Sequence, residues 1–173
     1  GPIISGPHEA PFICQSKEFR LVTGEPLGPS TDLNCSVERR IDYVYWSDRD
    51  FQFKPYSLSE VSEPPVDMGY VGEGVETPFI VRVETGVVNR AIYEISMLHD
   101  PSDGPLDPWR KSASWNNKLV YTHGGGCRSG WHQQGVVTGG VLKKGLLEQG
   151  YALSSSTLNV FGQNCNDLLA SET

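Results

Sequence analysis

The chain has 173 residues, 38 % of them hydrophobic and 20 % charged, enough apolar material for the core of one ordinary domain. Fourteen Lys and Arg against twenty-one Asp and Glu leave a net charge of −7 without any basic run, which excludes a nucleic-acid surface built on clustered cations. No stretch reaches the roughly 18 apolar residues of a membrane span, and 19 Gly with 12 Pro signal many turns but neither collagen nor a low-complexity chain.

In chain order, residues 1–36 mix Gly, Pro, Ser and Cys without periodicity and are expected to form loops with short strands. The aromatic run Tyr43, Tyr45, Trp46, Phe51, Phe53 predicts a strand within 41–53 and a following turn. Residues 54–76, acidic and interrupted by Pro64-Pro65, are expected as a surface loop, closing a loop-rich segment 1–76. From 77 to 173 the pattern sharpens. Phe79-Ile80-Val81-Arg82-Val83-Glu84 alternates as a strand, Gly86 marks a turn, and Asn89–Leu98 returns with Ala91, Tyr93, Ile95 and Met97 on one face, which predicts an antiparallel hairpin at the edge of a larger sheet. After a loop containing Pro101, Pro105 and Pro108, Leu119–Tyr121 is a short strand. Val137, Val141, Leu146 and Leu147, with Gly150 as a stop, predict a helix over 136–149, Tyr151–Ser156 a buried strand, and Asn166-Asp167 the cap of another helix. Strand, helix, strand, helix is the signature of a parallel sheet covered by helices. The expected class is therefore α/β. So few strands cannot complete a parallel sheet, and with no initiator Met at Gly1 the chain is expected to be part of a longer protein.

Four cysteines, Cys14, Cys35, Cys127 and Cys165, contain no C-x-x-C pair, which argues against a zinc ribbon or a thioredoxin-like motif. Three pairings are open, and the sequence-local one, Cys14 with Cys35 and Cys127 with Cys165, needs least rearrangement; a bridge over about 20 residues stabilises by roughly 3 kcal/mol. Two such bridges predict a secreted, extracellular or periplasmic protein. No metal is expected: His123, Cys127 and His132 have no recognised zinc spacing, and Asp100, Asp103 and Asp107 lack the ligand order of a calcium loop. No cofactor is expected either.

The chemistry-bearing stretch is His123-Gly124-Gly125-Gly126, after a strand and before a predicted helix. Consecutive glycines bend freely and leave backbone N–H groups uncovered, which suits an anion or a developing oxyanion. Gly125, Gly126 and Cys127 are the candidate donors, with His123, His132 and Asn159 as candidate substrate-binding residues. A nucleotide-binding loop is the weaker alternative, because Ser129 stands where G-x-G-x-x-G needs glycine. A non-catalytic secreted module gripping a glycan or polymer with Trp and Tyr is another. No G-x-S-x-G occurs, and Ser129 in Gly126-Cys127-Arg128-Ser129-Gly130 is one place late.

Tyr121-Thr122-His123-Gly124-Gly125-Gly126-Cys127 with Trp131-His132-Gln133, and the run Gly150 to Asp167, resemble secreted bacterial α/β-hydrolase-like proteins distantly akin to tannase and feruloyl-esterase-type serine hydrolases. Ser5-Gly6-Pro7-His8 and Pro78–Glu84 extend the resemblance over nearly the whole chain. It implies the N-terminal part of an α/β-hydrolase fold that cleaves an ester or related acyl bond. The nucleophile, acid and base would lie on a second chain or a further region of the same protein. The substrate would be a small or polymer-derived ester, and this chain alone would be inactive.

Overall fold

The computed structural model describes residues 12–59, 63–72, 76–103, 109, 111–123 and 133–157. Strands β1 (Arg40–Ser47) and β2 (Gln52–Tyr56) form a hairpin, and β3 (Tyr70–Val71) pairs with β4 (Thr77–Pro78) as a two-stranded ribbon. The long strands β5 (Ile80–Val88) and β6 (Ala91–Leu98) follow, then β7 (Leu119–Tyr121), helix α1 (Lys144–Leu147) and β8 (Ala152–Ser156). Six strands make one sheet in the order β2-β1-β5-β6-β8-β7. Its pairings are antiparallel except β7 with β8, which is parallel.

This overturns the expected helix-covered α/β-hydrolase architecture. Among the described residues the only helix is the four-residue α1, and the sheet is mixed and mostly antiparallel. The β5–β6 hairpin lies at the centre of the sheet, with β2 and β7 at its edges. The predicted helix over 136–149 shrinks because Gly140 has φ +78 and Gly139 is pressed against the backbone of Thr122. The hydroxyls of Ser155 and Thr138, instead of carbonyls four residues back, accept the N–H groups of Gly139 and Gly140. The turn expected at Gly86 falls three residues later, at Asn89-Arg90, whose φ values of 50 and 64 suit a two-residue hairpin loop closed by Val88 and Ala91. Gly86 instead sits inside β5 beneath the ring of Tyr93, its cross-strand partner; a Cβ there would meet Tyr93 at 2.8–2.9 Å.

Alternation sorts the sheet into two faces. On one, Val44, Trp46, Val81, Val83, Leu98 and Leu153 pack with Phe79, Val141 and Leu147 into the main core. The Phe79 backbone is held on both sides, its N–H donating to Gly69 and its carbonyl accepting from Trp46. The rings of Trp46, Phe53 and Phe79 meet edge-on or tilted at centroid distances of 5.1–6.4 Å. The Lys144 ammonium of α1 lies 5.2 Å from the Trp46 ring. Phe19, Leu21 and Leu27 pack against Ile92 in a second cluster, so the N-terminal segment belongs to the fold. That segment is fastened by a disulfide between Cys14 and Cys35, with Cα atoms 5.3 Å apart. The other expected pair, Cys127 and Cys165, lies outside the described residues.

Asp67 ties the β1–β2 hairpin to the segment ahead of β3. It accepts from Lys54 Nζ at 2.8 Å, Ser47 Oγ at 2.6 Å and the Tyr45 hydroxyl at 3.2 Å. These donors, Lys54 foremost, hold its carboxyl well below the usual carboxylate range. A depressed carboxyl pKa stabilises the fold above the unfolded value of about 4, and that stabilisation is lost as pH falls through the acid range. Asp67→Asn should therefore lower the urea midpoint at pH 7, with the gap from wild type narrowing at pH 3. An equal gap at both pH values would contradict this account.

Candidate functional site

The parallel pairing of Leu119 with Ala152, Val120 with Leu153 and Tyr121 with Ser154 brings the carboxyl ends of β7 and β8 to one edge of the sheet. Thr122, the first residue beyond β7, is bonded on three sides. Its N–H donates to the Ser154 carbonyl at 2.8 Å and its hydroxyl to the Gly140 carbonyl at 2.9 Å, while its own carbonyl accepts from Ser155 Oγ at 2.8 Å. Ser155 Oγ in turn accepts the Gly139 N–H at 2.7 Å. No side chain fits at Gly139, where a Cβ would stand 2.6 Å from the Thr122 carbonyl oxygen. The Thr138 hydroxyl accepts the Gly140 N–H at 3.2 Å and donates to the Glu94 carboxyl.

Glu94 projects from β6 onto the covered face, in register with Thr85 of β5 and Ser155 of β8, and is 5 % exposed. Among the described residues the buried Thr85 hydroxyl has no hydrogen-bond partner. Burial pushes the Glu94 carboxyl up from its ordinary value, with the Thr138 hydroxyl working against that shift. A raised folded pKa means that this group favours the fold most below the unfolded value of about 4.3, and that the benefit is lost as pH rises toward the folded value. Glu94→Gln removes the ionisation and keeps a group able to accept from Thr138. Its melting temperature should therefore gain on wild type from pH 4 to pH 8, and a pH-independent difference would refute the assignment.

On the opposite face of the sheet the same edge opens a cleft of about 320 Å³ lined by Val88, Tyr93, Ile95, Tyr121, Ser154 and Ser156 among others. Tyr93 is oriented by its hydroxyl, which donates to Glu84 at 3.1 Å, and burial raises its phenol pKa. Two phenol rings, two aliphatic side chains and serine hydroxyls suit a small molecule that is largely apolar. His123 stands at the rim, exposed, its ring 4.5 Å from that of Tyr121 and tilted by 57°.

Of the residues singled out from sequence, the structure brings His123 to this edge and joins Cys14 to Cys35. Gly125, Gly126, Cys127, His132, Asn159 and Cys165 lie outside the described residues. Asp100 and Asp103 are engaged within their own loop, Asp100 accepting from the Ser102 N–H and Asp103 from the Ser112 hydroxyl. Among the described residues no group of three or more His, Cys, Asp and Glu could hold a metal, and no helix is long and apolar enough to cross a membrane. Sequence reasoning passed over Thr122, Thr138, Gly139, Ser155 and Glu94. The signal that could have found them is the Ser154-Ser155-Ser156 run in a strand otherwise expected to be apolar.

A tannase-like family of unknown function (DUF6351) matches residues 1–173. The chain belongs to this tannase-like family. No curated protein and no solved structure matches it. The tannase-like assignment therefore spans both the clamped end of β7 and the aromatic cleft beside it.

Proposed function

We propose that this tannase-like chain is part of a secreted ester hydrolase, to which it contributes the oxyanion-binding backbone and one wall of the substrate pocket. The N–H groups of Gly125, Gly126 and Cys127 receive the negative charge that develops on the substrate carbonyl oxygen, and His123, His132 and Asn159 contact the substrate. The attacking serine and its acid and base partners come from polypeptide outside residues 1–173, since G-x-S-x-G is missing from the sequence. The serine oxygen bonds to the carbonyl carbon and yields its proton to the base. The alcohol leaves with a proton, and water then releases the acid from the acyl-enzyme.

The observation that carries this reading is the position of Tyr121. It lines the cleft and packs against His123, which directly precedes the glycines in sequence, so whatever occupies the cleft lies one side chain away from His123. Family membership over residues 1–173 supports the hydrolase class, and the Cys14–Cys35 bridge supports an oxidising compartment. The full-length protein, incubated with a p-nitrophenyl ester, should release p-nitrophenol with saturable kinetics and a burst from acyl-enzyme accumulation. Folded protein that releases none would overturn the proposal.

A further inference from the structure

Residues 124–132 are bracketed by two side-chain anchors that do not depend on the strand ladder. At the entry, Thr122 is fixed by the Ser155 hydroxyl on its carbonyl and by its own hydroxyl on Gly140. The Gly139-Gly140 corner is brought up so closely that only glycine fits at 139. At the exit, Gln134 is 1 % exposed and its polar groups are used on three sides. Its backbone N–H donates to the Ile13 carbonyl at 2.8 Å, its Oε1 accepts the Gln15 N–H at 2.9 Å, and its Nε2 donates to the Arg90 carbonyl at 2.9 Å. Ile13 and Gln133 add an isolated parallel bridge, and the Arg90 guanidinium lies 4.0 Å from the Phe12 ring. One stem is thus bolted to β8 and the other to the β5–β6 turn, two elements that belong to the same sheet.

We propose that Thr122 with Ser155, and Gln134, are positioning residues: a two-ended clamp of hydroxyl and amide groups, buried at Ser155 and Gln134 and half-buried at Thr122, that fixes where the chain leaves β7 at His123 and where it returns at Gln133. The catalytic part of this inference rests on the ester-hydrolase reading above. Buried polar groups satisfied on every side hold one geometry, because any alternative leaves a donor or acceptor unpaired away from water. Oxyanion donors lose effect when displaced by fractions of an ångström, so a loosened stem lowers turnover without abolishing substrate binding.

The test uses the full-length protein and p-nitrophenyl acetate. Thr122→Val removes the hydroxyl bond to Gly140, and Gln134→Leu removes the side-chain bonds to Gln15 and Arg90, each at close to the native volume. Each should lower kcat about tenfold or more with KM within about twofold of wild type. Thr122→Ser, which retains the hydroxyl, should restore kcat to within about twofold of wild type. Ile92→Val, which thins the separate Phe19 cluster, should lower the melting temperature and leave kcat alone. Wild-type kcat in Thr122→Val or Gln134→Leu, or losses that merely follow melting temperature as in Ile92→Val, would overturn the clamp. Should Thr122→Val not fold, Ser155→Ala carries the same expectation. If the wild-type protein turns over no ester, the hydrolase reading fails and the clamp is judged by amide exchange. Exchange at Gly139, whose N–H loses its acceptor, about tenfold faster in Ser155→Ala, with the β5–β6 amides unchanged, supports it, and unchanged exchange at Gly139 overturns it.

Discussion

Truncating Phe79 to alanine should cost about 3–5 kcal/mol of unfolding free energy. The residue is 1 % exposed, packs edge-on against Phe53 and tilted against Trp46, and underlies the Lys144 ammonium of α1. Its backbone is pinned between Gly69 and Trp46, so the surrounding chain has little freedom to collapse into the vacated space. A site that cannot collapse falls toward the upper end of the range, because the cavity adds to the lost burial. Urea denaturation should show a lower midpoint with an unchanged slope. A loss below about 1 kcal/mol would mean that the aromatic trio is not the anchor of the core.

Replacing Cys14 and Cys35 together by serine should cost about 3 kcal/mol, the chain entropy of reopening a loop of some 20 residues. The bridge links positions separated by 21 residues. Cys35 is fully buried, with φ +59, in a turn where Asp32 Oδ1 accepts the N–H groups of Asn34 and Ser36 at 2.9 and 3.0 Å. The loss reaches further than the turn. Ile13 and Gln15, on either side of Cys14, are two of the three partners of Gln134, so the bridge also steadies the chain at Gln134. The double serine variant should show faster amide exchange at Gln15 and Gln134 than wild type, together with its lower urea midpoint. An unchanged midpoint would contradict the role given to the bridge.

The strands were legible where side-chain chemistry alternates. Phe79–Glu84 and Asn89–Leu98 show it plainly and mark most of β5 and β6, and Leu119–Tyr121 stands out as a short apolar run between turn formers. The helix over 136–149 misled because Val137, Val141, Leu146 and Leu147 fall at helical spacing. Gly139 and Gly140, however, are used for a tight approach to Thr122 that no local pattern announces. The hairpin was misplaced at the edge for a similar reason: alternation tells which face is buried and says nothing of how many neighbours a strand has. At the site, the glycine stretch was visible because glycine has few other reasons to recur three times. The hydroxyls that hold its stem were not, since Thr122 and Ser155 look like ordinary strand residues until β7 and β8 are laid side by side.

The measurement that bears most directly on the central claim is covalent labelling of the full-length protein with a fluorophosphonate, followed by peptide mapping. The ester-hydrolase account predicts one modified serine, outside residues 1–173, with labelling slowed by a competing ester substrate. Folded protein that takes up no label, or label confined to a serine within these residues, would contradict it.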